Sequence, residues 1–450
     1  MKYYSTNGKA PIADLHKAVV KGLAEDRGLY MPESIKQLPK EFFDTIETKS
    51  FQEIAYTVAD AFFGEDVDAE SLKKIVYDTL SFDCPVVKIK ENIYTLELFH
   101  GPTLAFKDVG ARFMARLLRY FTSQTSSTSD SSLVNVLVAT SGDTGSAVAN
   151  GFLGVDGIHV YVLYPKGKVS PIQECQFTTL GKNITAIEVD GVFDDCQALV
   201  KNAFMDAELN QHMKLTSANS INVARFLPQA FYYFNAFARM KEKLSNSKLS
   251  NSPMVMCVPS GNFGNICAAL FGHAQGLPIK RFIAANNAND IFYNYLQTGR
   301  YEPKASLQTL ANAMDVGDPS NFARIINLYS ENNKLSPKET HERITSLISG
   351  ATYSDDQIRQ TMRQCYEETG YILDPHGACG YQALADGLKP GEIGVFCETA
   401  HPAKFKEKVD DILGIDVDIP ARLRAFMQGE KQSTPMTKDF ADFKRYLLSQ

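Results

Sequence analysis

Six compact apolar runs constrain this chain more than any other feature: LVNVLVAT (133–140), IHVYVLYP (158–165), ITAIEVDG (184–191), MVMCVPSG (254–261), RFIAANN (281–287) and EIGVFCET (392–399). Each is short, rich in β-branched residues and apolar throughout, without the alternation of a strand that has one wet face. Helical segments lie between them. A strand that is apolar on both sides must be covered on both sides, so the pattern predicts a parallel α/β sheet with helices on its two faces. Residues 1 to about 90 read differently. SFQEIAYTVADAFF and AESLKKIVYDTL carry 3.6-residue spacing, which predicts a mainly helical opening segment, and VVKIKENIYTLELF gives short strands. TSQTSSTSDSS (122–132) and SNSKLSNS (245–252) read as solvated surface loops, the second as a boundary between lobes. No internal repeat is visible.

A chain of 450 residues exceeds one ordinary core, so two or three domains are expected. Hydrophobic and charged shares of 44% and 22% are those of a globular protein. A net charge of −6 gives no reason to expect nucleic acid or an anionic membrane as partner. No apolar run approaches the roughly 20 residues of a membrane span, and the first residues, MKYYSTNGKAPIADLHKAVV, lack the pattern of a signal peptide. The eight cysteines form no C-x-x-C pair and several sit in apolar runs, which predicts reduced, buried thiols and a cytoplasmic location. No His/Cys/Asp/Glu spacing suggests a metal site. Ser260 has no G-x-S-x-G elbow around it, which argues against a hydrolase triad. Monomer and homodimer both remain open.

Lys107 poses the sharpest question. In LELFHGPTLAFKDVGARFMARLL it stands where a loop gives way to a helix. On a helical wheel Phe106, Val109, Gly110, Phe113, Met114, Leu117 and Leu118 form one apolar arc, with Arg112, Arg116 and Arg119 as the wet stripe beside it. Lys107 falls inside the apolar arc. Two readings fit: a lysine snorkelling from a frayed helix start, and a desolvated amine of lowered pKa, able to act as a nucleophile.

Three of the strands end in the same way, with a Gly/Ser/Thr/Asn turn that opens a helix: VAT-SGDTGSAVANGF, CVPSGNFGNICAALF and FCETAHPAKF. Ligands of open α/β sheets sit beyond the carboxyl ends of the strands. A glycine-rich turn at a helix start presents backbone N–H groups and the positive end of the helix dipole, so SGNFGN (260–265) reads as an anion cradle. It is neither a Walker A loop nor G-x-G-x-x-G. Taken singly, each turn is also satisfied by a plain tight strand-to-helix connection.

The ordered set is more specific than its parts. HGPTLAFKDVGARF, TSGDTGSA, NSINVARFLPQ (219–229), PSGNFGN, DPHGACGYQAL (374–384) and ETAHPAKF (398–405) together resemble the fold-type II pyridoxal-phosphate enzymes and, within them, the threonine synthase family. YYSTNGKAP and GLAEDRGLYMPE are similar to that family's opening segment. The resemblance implies a two-lobed α/β catalytic fold, tryptophan synthase β-like, over residues 93–450, with an added N-terminal domain over 1–92. It implies pyridoxal 5'-phosphate as cofactor and a lyase that turns O-phospho-L-homoserine and water into L-threonine and phosphate.

It also implies roles. Lys107 would hold the cofactor covalently and then serve as acid and base. Gly261, Asn262, Phe263, Gly264 and Asn265 would bind the cofactor phosphate through backbone and amide donors, and Thr399 would place its hydroxyl at the pyridine nitrogen. Ser141, Gly142 and Thr144 would receive the substrate carboxylate, with Asp143 in the same turn. Asn219, Ser220 and Arg225 would clamp the substrate phosphate. One position departs from the wider family: many relatives have Asn where this chain has Asp143, and an aspartate there would repel the cofactor's phenolic oxygen unless turned away or protonated. His376 and His401 read first as structural hydrogen-bonding residues, and Asp315 and Asp318 as turn chemistry, with lining the site as the second reading. A dehydratase or sulfhydrylase of the same fold, and a catalytically silent relative, are the rival readings.

Overall fold

The computed structural model describes residues 1–125 and 133–450. Two sheets dominate it. The first has five parallel strands in the order Thr434–Thr437, Ile184–Asp190, Ile158–Pro165, Val134–Ala139, Lys214–Ser217. The second has six, in the order Ile348–Thr352, Arg281–Asn286, Met254–Pro259, Ile393–Glu398, Ile93–Glu97, Val86–Lys90, and only the last pair is antiparallel. The central strands are buried along their whole length, as their unbroken apolar runs require.

Three strands of these sheets carry no such run: Lys214–Ser217, Ile348–Thr352 and Thr434–Thr437. All three lie at sheet edges. An edge strand has one partner and a partly wet face, so short polar segments, even one with Pro435, satisfy it. The segment 245–252 is indeed half-buried to exposed, but it does not divide two consecutive lobes. The second sheet takes Val86–Lys90 and Ile93–Glu97 from before the first sheet begins, and the first sheet recovers Thr434–Thr437 near the C-terminus. The lobes are interleaved in the chain. That hairpin also spans residue 92, so the strand before it, Val86–Lys90, pairs with the catalytic lobes. Of the polar stretch 122–132, Thr122 and Ser123 continue a helix, and residues 126–132 lie outside the described residues.

The N-terminal segment is less helical than its sequence suggests. Lys2–Ser5, Ala13–Asp14 and Tyr30–Pro32 make a small antiparallel sheet. The expected helices follow, Phe51–Phe63 behind a Ser50/Glu53 capping box and Ala69–Thr79 capped by Asp68. The helix Lys107–Thr125 buries Val109, Phe113, Met114, Leu117 and Leu118 as expected. Its arginine stripe is only partly wet: Arg112 and Arg116 are half-buried. Arg112 donates to the carbonyls of Thr79 (2.9 Å) and Asp78 (2.7 Å), capping the end of Ala69–Thr79, which covers this side of the helix. Among the described residues no helix is long and apolar enough to cross a membrane.

Candidate active site

Lys107 is delivered by a loop that is held from two sides. Phe106 N–H donates to the Thr399 carbonyl at 2.8 Å and His401 N–H donates to the Leu104 carbonyl at 3.0 Å, zipping the loop to the segment that follows the strand Ile393–Glu398. The buried Asp108 carboxylate accepts from Thr103 N–H (2.9 Å) and Thr103 Oγ1 (2.6 Å). Leu104 sits at φ +59, a left-handed conformation costly for a branched side chain and maintained by these bonds. The Lys107 ammonium then reaches the neighbouring helix Asp143–Phe152 and donates to Thr144 Oγ1 at 2.8 Å. Desolvation lowers its pKa to about 8; Asp143 opposes the shift, while Arg225 and Lys404 add to it. Lys107 is a desolvated amine rather than a snorkelling one.

Asp143 is both turned away and ionised. Burial alone would raise its pKa, but the Lys404 ammonium at 2.6 Å, with Lys107 beyond it, holds the carboxyl down to about 2. Gln173 Nε2 donates to the same oxygen at 2.9 Å. Lys404 is completely buried and also donates to the Thr103 carbonyl at 2.8 Å. The ion pair joins the helix Asp143–Phe152 of one lobe to the turn Pro402–Phe405 of the other, and behind the cavity wall it ties Asp143 to the loop that carries Lys107.

SGNFGN connects the strand Met254–Pro259 to the helix Gly264–Ala274. Its side-chain amides are already committed, unlike the expectation of amide donors for phosphate. Asn265 Nδ2 donates to the Pro259 carbonyl and its Oδ1 accepts from Ile266 N–H, both at 2.8 Å. Asn262 Oδ1 accepts from Ser320 N–H at 2.7 Å and its Nδ2 donates to Ser220 Oγ at 3.1 Å. The Phe263 ring packs on Phe292, leaving the backbone as this residue's contribution, and it is Phe263, at φ +62, that takes the left-handed turn. The backbone N–H groups of residues 262–265 make no hydrogen bond among the described residues, as expected of an anion-binding helix start.

The two glycines are needed for close approach. A Cβ on Gly261 would lie 2.7 Å from Met314 Cα, and one on Gly264 would lie 2.7 Å from Ser220 Cβ. Gly264→Val is therefore expected to push Ser220 and the loop apart and to weaken cofactor retention on the order of tenfold or more. Cofactor occupancy after dialysis measures this, with circular dichroism as the check on folding; full occupancy in the variant would place the phosphate elsewhere.

These groups surround a cavity of about 680 Å³ between the carboxyl ends of the two sheets. The structure brings to it Lys107, Ser141, Thr144, Asn219, Ser220, Arg225, residues 261–265 and Thr399. Gly142 and Asp143 lie behind its wall. Arg225 is 3% exposed. Its Nε donates to the Ala218 carbonyl at 3.1 Å, and its head group crosses Gly110 on the Lys107 helix, where a Cβ would come within 2.5 Å of Nη1. Desolvation draws its pKa down to about 10, and no carboxylate pairs with it among the described residues. Among the described residues Asn219 Oδ1 is buried without a partner and the Thr399 hydroxyl makes no hydrogen bond. A low-pKa amine and a loop whose N–H groups make no hydrogen bond among the described residues, around one cavity, fit a phosphorylated pyridine aldehyde as cofactor.

His376 lines the cavity as well. Its Nε2 accepts from Ala313 N–H at 3.1 Å, which puts the proton on Nδ1, 2.5 Å from Asp374. His401 does not line the cavity, and burial lowers its pKa to about 4. Asp315 and Asp318 both line the cavity, but Asp315 accepts from Thr309, Asn287 and Asn289, which fastens the loop above the site, and Asp318 accepts from the Tyr301 hydroxyl.

Sequence reasoning missed Lys404, Gln173, Asn321 and Arg324. Lys404 had a signal: like Lys107 it interrupts an apolar stretch beside a phenylalanine. Gln173 and Asn321 had none, because a polar residue near a helix start reads equally well as solvated.

Comparison with known proteins agrees with the geometry. Residues 2–80 match the family described as Threonine synthase N terminus, residues 80–397 the Pyridoxal-phosphate dependent enzyme family, and residues 377–447 the Threonine synthase, C-terminal family. The threonine synthase of Haemophilus influenzae is 44% identical over 451 residues, with 100% of each chain covered. The crystal structure of threonine synthase from Escherichia coli superposes with a TM-score of 0.90 at 40% identity, covering 100% of both chains. The PLP-bound threonine synthase from Brucella melitensis gives 0.90 at 34% identity, covering 100% of this chain and 99% of that one. The chain belongs to the threonine synthase family of pyridoxal-phosphate-dependent enzymes.

Proposed function

We propose that this chain converts O-phospho-L-homoserine and water into L-threonine and phosphate. The observation that carries the reading is Arg225, a buried guanidinium on the cavity wall, packed against Gly110 one helical turn after Lys107 and paired with no carboxylate among the described residues. Such a group favours a dianionic oxyanion over the neutral side chain of serine or threonine.

The cofactor supplies the electron sink, and the protein supplies the rest. Lys107 holds the cofactor and, as the amine of lowered pKa, moves protons at the substrate's α- and β-carbons. Thr144 orients that amine. Ser141, at the start of the helix Asp143–Phe152, receives the substrate carboxylate. Asn219, Ser220 and Arg225 hold the phosphate that leaves the γ-carbon, and the N–H groups of 261–265 hold the cofactor's phosphate. The separation of the N-terminal domain near residue 80 to 92, and a cytoplasmic location, belong to the same proposal; the eight free cysteines support the latter.

Phosphate release with L-threonine as the detected product tests the reaction. The decisive variant is Arg225→Ala. Loss of a charge-assisted contact is expected to remove about 2–4 kcal/mol of transition-state stabilisation, roughly 30- to 1,000-fold in kcat/KM. Arg225→Lys should recover only part. Slow deamination of L-threonine should be largely spared, so the ratio of the two activities falls. If both activities fall equally, or neither does, the clamp is elsewhere and a dehydratase becomes the better reading.

A further inference from the structure

Ser220 is one of the groups assigned above to phosphate, and its surroundings determine which way its hydroxyl points. Two amides converge on Ser220 Oγ, Asn262 Nδ2 at 3.1 Å and Asn321 Nδ2 at 3.0 Å. Neither amide can be turned round. Asn262 Oδ1 accepts from a backbone N–H, that of Ser320. Asn321 Oδ1 accepts from Arg324 Nη1 at 2.6 Å, and a guanidinium can only donate. Both lone pairs of the serine oxygen are therefore occupied, and its hydrogen must donate elsewhere. No acceptor for it occurs among the described residues, and Ser220 lines the cavity beside Gly264.

Behind Asn321 stands Arg324. Both are 0% exposed. Arg324 donates to the carbonyls of Ser220 (3.0 Å), Ile221 (2.5 Å) and Tyr30 (3.1 Å), and lies over the Phe226 ring at 4.1 Å. Desolvation pulls its pKa down to about 9, and no carboxylate pairs with it among the described residues. A buried cation without an anion is costly, and the chain of bonds it starts ends at a hydroxyl that faces the cavity.

We propose that Asn321 and Arg324 are positioning residues for the anion site, forcing Ser220 to act as a hydrogen-bond donor to a phosphate monoester dianion. The carbonyl of Tyr30 makes the N-terminal sheet part of the brace. The inference rests on the assignment of Ser220 to phosphate. Two phosphates have this chemistry, the cofactor's and the substrate's, and the experiment separates them.

Ser220→Ala, Asn321→Asp and the double variant are compared in two arms. Asn321→Asp keeps an acceptor for Arg324 but offers Ser220 a carboxylate oxygen, so the hydroxyl turns away from the cavity. In the first arm apoenzyme is titrated with pyridoxal 5'-phosphate and with pyridoxal. In the second, KM and kcat for O-phospho-L-homoserine are measured on holoenzyme. Each single variant is expected to weaken the phosphorylated ligand on the order of 10- to 100-fold in one arm, with pyridoxal affinity within about twofold. The double variant should be within about threefold of Ser220→Ala, because the hydroxyl to be turned is gone. A normal Asn321→Asp, an undiminished loss from it in the Ser220→Ala background, or an equal loss for pyridoxal would overturn the proposal. An unaffected Ser220→Ala would instead remove the phosphate assignment on which it stands. Should Asn321→Asp fail to fold, Asn262→Asp makes the same reversal from the other amide and is read in the same way.

Discussion

Lys107→Ala is expected to abolish turnover to the level of about a thousandth of the parent or less, since covalent and proton-transfer catalysis are lost together. The residue is held by Thr144 at one end and by the zipped loop 104–106 at the other, so alanine removes the amine without removing what orders the loop. Borohydride reduction should leave a stable cofactor adduct on the parent and none on the variant; an adduct in the variant would reassign the lysine. The pKa carries a second expectation. At about 8, roughly a tenth of the amine is neutral at pH 7, against about one part in three thousand for an ordinary lysine. The rate at which apoenzyme recombines with pyridoxal 5'-phosphate should climb with pH and level off near pH 8 to 9, not near 11.

Lys404→Met is expected to cost about 3–5 kcal/mol of stability, because it strands the Asp143 carboxylate in the interior. The loss should depend on pH in one direction. Asp143 titrates near 2 in the folded chain, below its ordinary 3.8. The ion pair therefore contributes fully above about pH 4, and its contribution fades as pH falls from about 4 towards 2. Urea midpoints of parent and variant should converge over that window. Asp143→Asn in the Lys404→Met background should restore most of the loss, since an amide oxygen still accepts from Gln173. If the double variant is no more stable than Lys404→Met, the pair is not what holds the lobes at this point.

Much of this was present in local sequence. Buried central strands must be apolar on both faces, so their runs stood out. Lys107 stood out because a charge in an apolar arc needs a reason. SGNFGN stood out because only a backbone free of side chains can approach an anion closely. Three of the four edge strands of the large sheets, Lys214–Ser217, Ile348–Thr352 and Thr434–Thr437, escaped, since having one partner and a wet face imposes no apolar pattern on them. The small N-terminal sheet escaped because its strands run only two to four residues.

What only the tertiary structure decided are the states of individual polar groups. Asp143 could be read as turned away or protonated, and the choice belongs to Lys404, which arrives from the far end of the chain. Ser220 could donate or accept, and the choice belongs to Asn262, Asn321 and the guanidinium behind them. A residue's type limits the hydrogen bonds it is able to make, and this is local. Which of them it makes, and in which charge state, depends on the few ångströms around it, which are filled by segments that only folding brings together.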